Sequence, residues 1–223
     1  MKYILGIQTC IMPNSLALID EEGKELILTE LKMKKNTVEN LARYLKKSLK
    51  EIDIEVKDID LVSVCLGPGS FTGTRGGLAF AKGLCQFTNI PLVGISAFEN
   101  LKFKAEGVKD FLIIMDAKCD RVYYLGGRAE RIRVDTLDNV LEEVDKSTLL
   151  FGPGVRVYKE KILEELGKEA SSSDDNLDDL NASDVARAGF KKYGDNPSMF
   201  SKEHLLKVKP LYILPPKITK SKK

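Results

Sequence analysis

The residue run richest in chemical content is Gly67 to Leu84, which reads Gly-Pro-Gly-Ser-Phe-Thr-Gly-Thr-Arg-Gly-Gly-Leu-Ala-Phe-Ala-Lys-Gly-Leu. It follows the apolar stretch Leu61 to Leu66 and leads into a glycine-loaded helical pattern. A strand that feeds a Gly/Ser/Thr loop and then a helix offers unpaired backbone N–H groups at a positive helix end, which is how many folds hold phosphate. The common versions of that chemistry do not fit. A Walker loop needs Gly-x-x-x-x-Gly-Lys-Ser/Thr, and no Lys-Ser or Lys-Thr follows Gly69; the dinucleotide pattern needs a third glycine where Thr72 stands. A nucleophile elbow needs glycines two residues to either side of its serine, and Ser70 has Pro68 and Thr72 there. Gly67, Pro68, Gly69, Ser70, Phe71, Thr72, Gly73 and Arg75 therefore stand as a candidate loop site of a less common kind. Arg75, at the helix start, can reach an anion or a partner carboxylate, or sit in a surface salt bridge worth little.

Each interior glycine disfavours a helix by roughly 1 kcal/mol relative to alanine, so Gly73, Gly76, Gly77 and Gly83 need an offsetting gain. Close approach of another backbone supplies one. Gly76, Ala79 or Phe80, Gly83 and Phe87 recur at helical spacing and form a shallow groove edged by aromatics. The backbone that enters it is either the chain's own sheet or a helix of another protein.

Other candidates for chemistry are sparse. Asp116 ends an apolar strand, where a carboxylate can hold a metal or substrate at the sheet's edge or cap a tight turn, and the turn is the favoured reading; Asp120 follows it. The single histidine, His204, has no neighbouring set of metal-type ligands and reads as an ordinary surface or helix-end residue. Cys10, Cys65, Cys85 and Cys119 are far apart, form no Cys-x-x-Cys pair, and read as buried thiols of a reducing compartment.

At 223 residues the chain is long enough for one large domain or two small lobes. Thirty-five Lys and Arg against 33 Asp and Glu leave a net charge of +2, which gives no global case for nucleic-acid binding. Much of the surplus lies in Lys217 to Lys223, read as a solvated tail. The opening Met-Lys-Tyr-Ile-Leu-Gly-Ile is too short an apolar run for a signal peptide, and no run of about 18 apolar residues follows, so a cytoplasmic protein without a membrane role is expected.

The elements that must position the glycine run come in a telling order. Tyr3–Ile7, Ser15–Ile19 and Leu26–Met33 read as three strands joined by turns at Pro13-Asn14 and Glu22-Gly23. Asn36 with Glu39 can cap a helix that carries Val38, Leu41, Ala42, Leu45 and Leu49 on one face. Strand Leu61–Leu66, the glycine helix, strand Leu92–Ile95 and a helix capped by Ser96 and Glu99 follow. Three strands and then alternating helices and parallel strands is the order of an α/β fold of the ribonuclease H-like or actin-like kind. Beyond it, Phe111–Met115, Arg121–Leu125 and Leu149–Phe151 read as strands, Tyr158–Leu166 and Ser183–Phe190 as helices, and Ser171 to Asp175 as a polar linker.

Several segments together resemble the bacterial TsaB (YeaZ) family. Gly67 to Leu84 is similar to that family's signature, Leu5-Gly6-Ile7-Gln8-Thr9-Cys10 to its opening strand, and Ile95-Ser96 with Glu99 to its next helix start. Met115-Asp116-Ala117-Lys118 with Val122-Tyr123 resembles its hairpin, and Pro210-Leu211-Tyr212-Ile213 its closing Pro-x-Tyr-Leu. The likeness covers most of the chain and is strongest from 61 to 125. It implies two actin-like lobes with mixed sheets flanked by helices, here residues 1–105 and 106–216 with a basic tail 217–223. It also implies a non-catalytic subunit in the synthesis of threonylcarbamoyladenosine in transfer RNA. The expected partners are a TsaD-like catalytic subunit, a TsaE-like ATPase, tRNA indirectly, and a possible second copy through the same helices. Gly76, Ala79, Phe80, Gly83 and Phe87, with Leu41 and Leu45 of the preceding helix, would form the docking face. No intrinsic cofactor or metal is expected, ATP or ADP and Mg²⁺ belonging to the wider complex. In the wider superfamily the opening strand carries an aspartate that places metal and phosphate; here Gln8 stands in that position, and an amide brings no charge for Mg²⁺.

Three function classes follow: a catalytically silent docking subunit, which the resemblance favours; an ATP-dependent kinase-like enzyme, which needs nucleotide and Mg²⁺ despite Gln8; and a peptidase, which needs a base that only His204 could supply.

Overall fold

A computed structural model describes residues 3–31, 38–145, 147–167, 175–197 and 201–214. Its first sheet is built from β1 (Tyr3–Gln8), β2 (Asn14–Asp20), β3 (Glu25–Leu31), β4 (Leu61–Cys65) and β5 (Leu92–Ile95), in the spatial order β3-β2-β1-β4-β5. β1 runs antiparallel to β2, with Ile7 opposite Leu16, and parallel to β4, with Ile7 beside Val64. Alternation along β1 serves two layers at once. Leu5 and Ile7 point into a core with α1 (Leu41–Glu51) and α2 (Phe71–Thr88), through Leu41, Leu45, Leu78 and Ala81. Ile4, with Ile19, Leu61 and Ile95, packs on the opposite side against Ala186 and Ala188 of α8 (Ala182–Asp195). Each such large aliphatic side chain, fully buried, contributes about 1.5–3 kcal/mol.

Two glycines make the α8 packing possible. A Cβ on Gly6 would lie 1.9 Å from the Ala182 carbonyl oxygen, and one on Gly189 would lie 2.1 Å from Ser63 Oγ. The helix thus rests directly on the sheet backbone, and Ser63 Oγ donates to the Val185 carbonyl at 2.7 Å.

The second sheet has β6 (Phe111–Lys118), β7 (Arg121–Gly126), β8 (Ala129–Thr136) and β9 (Leu149–Phe151), in the order β8-β7-β6-β9. One face is covered by α4 (Leu137–Glu142), α5 (Pro153–Val157) and α6 (Lys159–Leu166), which bring Leu137, Val140, Val155 and Ile162 onto Leu112, Ile114 and Val122. On the other face Ile113, Met115 and Phe151 share a core with Phe98 and Leu101 of α3 (Ala97–Lys104) and with Cys10 and Cys65 of the first sheet's end. The residues around each sheet are not consecutive in the chain. After β9, α7 (Asp175–Asp178) and α8 return to the first sheet, and α9 (Lys202–Lys207) contacts α2.

The expected order of elements is present, with differences of local cause. α3 is capped as its sequence predicts: Glu99 N donates to Ser96 Oγ at 3.0 Å and Ser96 N donates to Glu99 Oε2 at 2.7 Å. Burial opposes the charge on Glu99, yet Lys192 and the Ser96 donors outweigh it and hold the carboxyl below its usual range. α8 starts one residue ahead of Ser183, because Asn181 is the cap, accepting from Asp184 N at 2.9 Å. α1 begins at Leu41 after a short 3₁₀ turn at Val38–Asn40; the cap expected at Asn36, the end of the third strand at 32–33, residues 171–174 of the linker and the tail 217–223 lie outside the described residues, while Asp175, the linker's expected last residue, opens α7. β8, α4, α5, α7 and α9 are additional to the expected set.

Candidate docking surface and cleft

Ser70 builds the turn into α2. Its Oγ accepts from Gly73 N at 3.2 Å, its N donates to the Cys10 carbonyl at 2.6 Å, and its carbonyl accepts from Thr74 N at 2.8 Å. Ala97 N donates to the Gly67 carbonyl at 2.8 Å. These bonds tie the loop to the β1–β2 turn, to the first turn of α2 and to α3.

The glycines of α2 divide between the two roles open to them. A Cβ on Gly69 would fall 2.3 Å from the Cys10 carbonyl oxygen, on Gly73 2.0 Å from that of Thr9, and on Gly77 2.1 Å from Thr9 Oγ1. These three let the loop and α2 sit against the β1–β2 turn, Gly69 and Gly73 on its backbone and Gly77 on the Thr9 side chain, whose Oγ1 donates to the Gly73 carbonyl at 2.8 Å. Gly83 is the opposite case: a Cβ there meets nothing within 4 Å. Ala79 is exposed beside it, Gly76 is half-buried, and the Phe87 ring stands 90% exposed. The outer stripe of α2 is a surface, while the inner one is core.

Beside that stripe, α1, the turn after it and α2 enclose a groove of about 540 Å³. Its floor is apolar, from Leu45, Leu49, Ile54, Val56, Phe80 and Leu84; its rim carries Lys46, Lys50, Asp53 and Glu55. Leu41, expected on the docking face, is instead fully buried in the α1–α2 core, because the helix turns that position onto the sheet. Leu45 is also mostly buried and reaches the groove only as floor. Ile54, Val56 and Leu84 were not anticipated; the alternation Ile52-Asp53-Ile54-Glu55-Val56 was the signal for the first two.

Within the chain, Arg75 is engaged by aromatic side chains. Its guanidinium lies 3.6 Å from the Phe71 ring centroid and 5.5 Å from that of Tyr212, and its Nε donates to the Tyr212 hydroxyl at 2.5 Å. The Phe71 and Tyr212 rings are 5.4 Å apart, and Leu211 N donates to the Leu66 carbonyl at 2.8 Å, so segment 208–214 is strapped across the start of α2. Below this strap a cleft of about 420 Å³ separates the loop residues Pro68, Gly69, Phe71 and Thr74 from Ala117, Lys118, Arg121 and Tyr123 of the β6–β7 hairpin.

Asp116 has the turn role. Its Oδ1 accepts from Lys118 N at 2.7 Å and from the Tyr158 hydroxyl at 3.0 Å, and its carboxylate pairs with Lys118 Nζ. Burial opposes its charge, but the Lys118 and Tyr158 donors hold the carboxyl below its ordinary range; burial and Asp116 together push the Tyr158 phenol up to about 12. The bonds close a turn in which Lys118, Cys119 and Asp120 all have positive φ, 65°, 55° and 56°. Such backbone is disfavoured for residues with a Cβ, so the cluster is a locally strained element at the cleft's mouth.

Gln8 is buried and saturated. Its Nε2 donates to the carbonyls of Ile11, Pro13 and Leu180 at 2.9, 3.0 and 2.8 Å, and its Oε1 accepts from Cys10 N and Ile11 N at 2.7 and 3.1 Å. Every lone pair and proton of the amide that can bond does so within the chain. Among the described residues no three of His, Cys, Asp or Glu converge as a metal site. Cys10 and Cys65 are buried neighbours, Cys10 Sγ lying 3.2 Å from the Cys65 carbonyl oxygen to which it donates. Beyond that bond, the Cys65 thiol, with Thr74 and backbone donors, favours the thiolate at Cys10, and the thiol–thiol contact, with burial, pushes Cys65 up; Cys119, expected to be buried, is exposed. Burial alone takes Cys85 up to about 12. No helix among the described residues is long and apolar enough to cross a membrane.

Two mixed sheets flanked by helices, joined where a glycine loop enters a long helix, define an actin-like, ribonuclease H-like α/β protein. A solved structure of YeaZ from Pseudomonas aeruginosa has the same fold, with a TM-score of 0.64 at 18% identity, covering 96% of this chain and 100% of that one. The family model described as TsaD, tRNA N6-adenosine threonylcarbamoyltransferase, matches residues 31–193. The tRNA threonylcarbamoyladenosine biosynthesis protein TsaB of Buchnera aphidicola subsp. Schizaphis graminum (strain Sg) is 30% identical over 173 residues, 70% of this chain and 80% of the relative. TsaB of Bacillus subtilis (strain 168) is 30% identical over 133 residues, 53% of this chain and 57% of that protein. The chain belongs to the TsaB (YeaZ) family, within the broader reach of the TsaD family model.

Proposed function

We propose that this protein takes part in forming N6-threonylcarbamoyladenosine in transfer RNA as a non-catalytic docking subunit. The observation that carries the docking role is the outer stripe of α2, where Gly83 is open to at least 4 Å, beside an apolar groove of about 540 Å³. A face of this kind admits a partner helix to close backbone contact and gives it an apolar slot with a charged rim. The partner is a TsaD-like catalytic subunit, which holds the transfer chemistry; a TsaE-like ATPase brings ATP and Mg²⁺ to the assembly. tRNA is served through that assembly, and the chain itself needs no cofactor. Its contribution is a coupling free energy between the docking face and the partner's active site. A second copy of the chain can use the same face in the free state.

The kinase-like alternative asks Gln8 to serve metal and phosphate, and its amide is already spent on five backbone groups. The test is reconstitution from catalytic subunit, ATPase, threonylcarbamoyl adenylate and substrate RNA, with product nucleoside measured by mass spectrometry after RNA digestion. Omission of this chain should remove nearly all product. Undiminished product without it, or product from it alone, would each defeat the reading.

A further inference from the structure

The first sheet ends at β3, and the edge it leaves open is walled by a helix. β3 is the outermost strand on one side of the order β3-β2-β1-β4-β5. Among the described residues, 27–31 make no backbone hydrogen bond beyond the ladder to β2. In an antiparallel pair every second residue turns both its N–H and its C=O away from the partner, so this stretch presents a row of unpaired donors and acceptors. The bulge between Leu18 and Ile19 confines the regular edge to that stretch.

α1 runs alongside. Between it and the edge lies a groove of about 460 Å³, lined by residues 27–30 of β3 and by Tyr44, Lys47, Ser48 and Glu51 of α1. Successive strand residues point to opposite faces, so four in a row line one groove only where it follows the strand's backbone. Ile27 and Thr29 are the register partners of Leu18 and Leu16 and share their face, towards α1; Leu28 and Glu30, the partners of Ala17 and Ser15, share the other. Thr29 Oγ1 and Ser48 Oγ share a hydrogen bond of 2.7 Å, which sets the spacing of strand and helix. None of these residues lines the apolar groove between α1 and α2.

Charge selects the occupant. Lys47 and Glu51 answer each other at 3.7 Å, whereas the exposed Glu30 has no ion pair or side-chain hydrogen bond among the described residues. A strand arriving beside β3 therefore gains most from a cation opposite Glu30, and the residues flanking that cation turn towards Thr29 and Tyr44, where apolar side chains suit. We propose that this groove captures an extended segment of a partner protein as an added strand on β3, with a Lys or Arg opposite Glu30 and apolar residues on either side of it facing α1. Backbone hydrogen bonds supply the affinity in such capture, and the alternating side chains supply the choice. A second copy of this chain is the poorer occupant, because residues 27–31 contain no Lys or Arg to set opposite Glu30 when two β3 strands pair.

The experiment titrates the intact chain at low salt with a fluorescently labelled, end-blocked peptide, Thr-Val-Lys-Val-Thr, read by anisotropy, with amide hydrogen exchange followed in the same complex. Saturable binding with slowed exchange at residues 27–31 is expected. Glu30→Lys should weaken that peptide at least fivefold and favour Thr-Val-Glu-Val-Thr instead. Glu130→Lys, the same reversal on β8 at an edge of the second sheet, should change neither. The lysine peptide N-methylated throughout keeps its side chains, loses its backbone donors and should not bind. No saturable binding, equal binding of the N-methylated peptide, binding that Glu30→Lys leaves unchanged, or protection confined to other parts of the chain overturns the proposal. So does protection of residues 27–31 that appears without peptide and grows with protein concentration, since a second copy then holds the edge. The measurement needs no catalytic subunit, so its failure is distinct from failure of the reconstituted reaction.

Discussion

Arg75 and Tyr212, 137 positions apart, meet in a bond of 2.5 Å from the guanidinium Nε to the phenol oxygen, with Phe71 stacked on the other side of the guanidinium. The pairing ties the last described segment to the first turn of α2. It also offsets the unfavourable placing of a cation at a helix N-terminus. Replacement of Arg75 by alanine should cost about 1 kcal/mol, since the pair is largely exposed and its cation–π and hydrogen-bond parts are both screened. For a chain of this size that is a fall in Tm of roughly 2–4 °C by scanning calorimetry. Tyr212→Leu should cost a similar amount, and the double variant should cost less than the sum of the two singles. Simple additivity would show that the two residues stabilise the chain independently.

The two kinds of glycine in α2 give opposite expectations for the same substitution. Gly83→Leu should leave far-ultraviolet circular dichroism and Tm close to wild type, because a Cβ there has open space, and should abolish association with the catalytic subunit in size-exclusion chromatography. Gly77→Leu should lose the fold itself, since its Cβ would lie 2.1 Å from Thr9 Oγ1. Retained association in a folded Gly83→Leu protein would remove this stripe from the interface.

Why one part of this was legible in the sequence and another was not follows from the range of the interactions. The apolar run of β1, the Ser96/Glu99 box and the glycine spacing of α2 are local, and each produced the element that its residues predict. The division of glycines was invisible because Gly73 and Gly77 are defined by Thr9, some 60 residues away, while Gly83 is defined by having nothing there. Leu41 failed as a docking residue for the same reason: a helix face read without its sheet has no inside. The partner of Arg75 lay in the Pro-x-Tyr segment, and nothing in the spacing from 75 to 212 could reveal it.

Asn100 presents a further test. It is fully buried in α3, and among the described residues neither its Oδ1 nor its Nδ2 has a hydrogen-bond partner. An unpaired buried amide costs about 1–3 kcal/mol, so an apolar side chain of nearly the same size should be preferred there. Asn100→Leu is expected to raise Tm by several degrees without altering partner association. A fall in Tm would mean that the amide is satisfied in solution, by a buried water whose loss the leucine cannot repair.

Gln8 is the residue on which the expectation of no metal-dependent nucleotide chemistry rests. Three carbonyl oxygens lie 2.8–3.0 Å from its Nε2, so Gln8→Glu would aim a carboxylate oxygen at three acceptors with no cation between them. An uncompensated buried charge of this kind costs about 3–5 kcal/mol at neutral pH. Protonation of that carboxyl removes the charge and restores one donor, so its pKa in the folded state must rise above the unfolded value. For such a group the stability is present below the unfolded pKa and is lost as pH rises through the folded pKa. The deficit of Gln8→Glu against wild type should therefore be large at pH 7 and shrink as pH falls towards about 4.3, the ordinary value for a glutamate. Chemical denaturation of both proteins across that range measures it. The wild-type chain, titrated calorimetrically, should in turn show no Mg²⁺-dependent binding of ATP. Low-micromolar affinity that EDTA abolishes, equivalent to roughly 7–8 kcal/mol, would require a metal site that these five backbone contacts leave no room for, and would promote the kinase-like reading over docking.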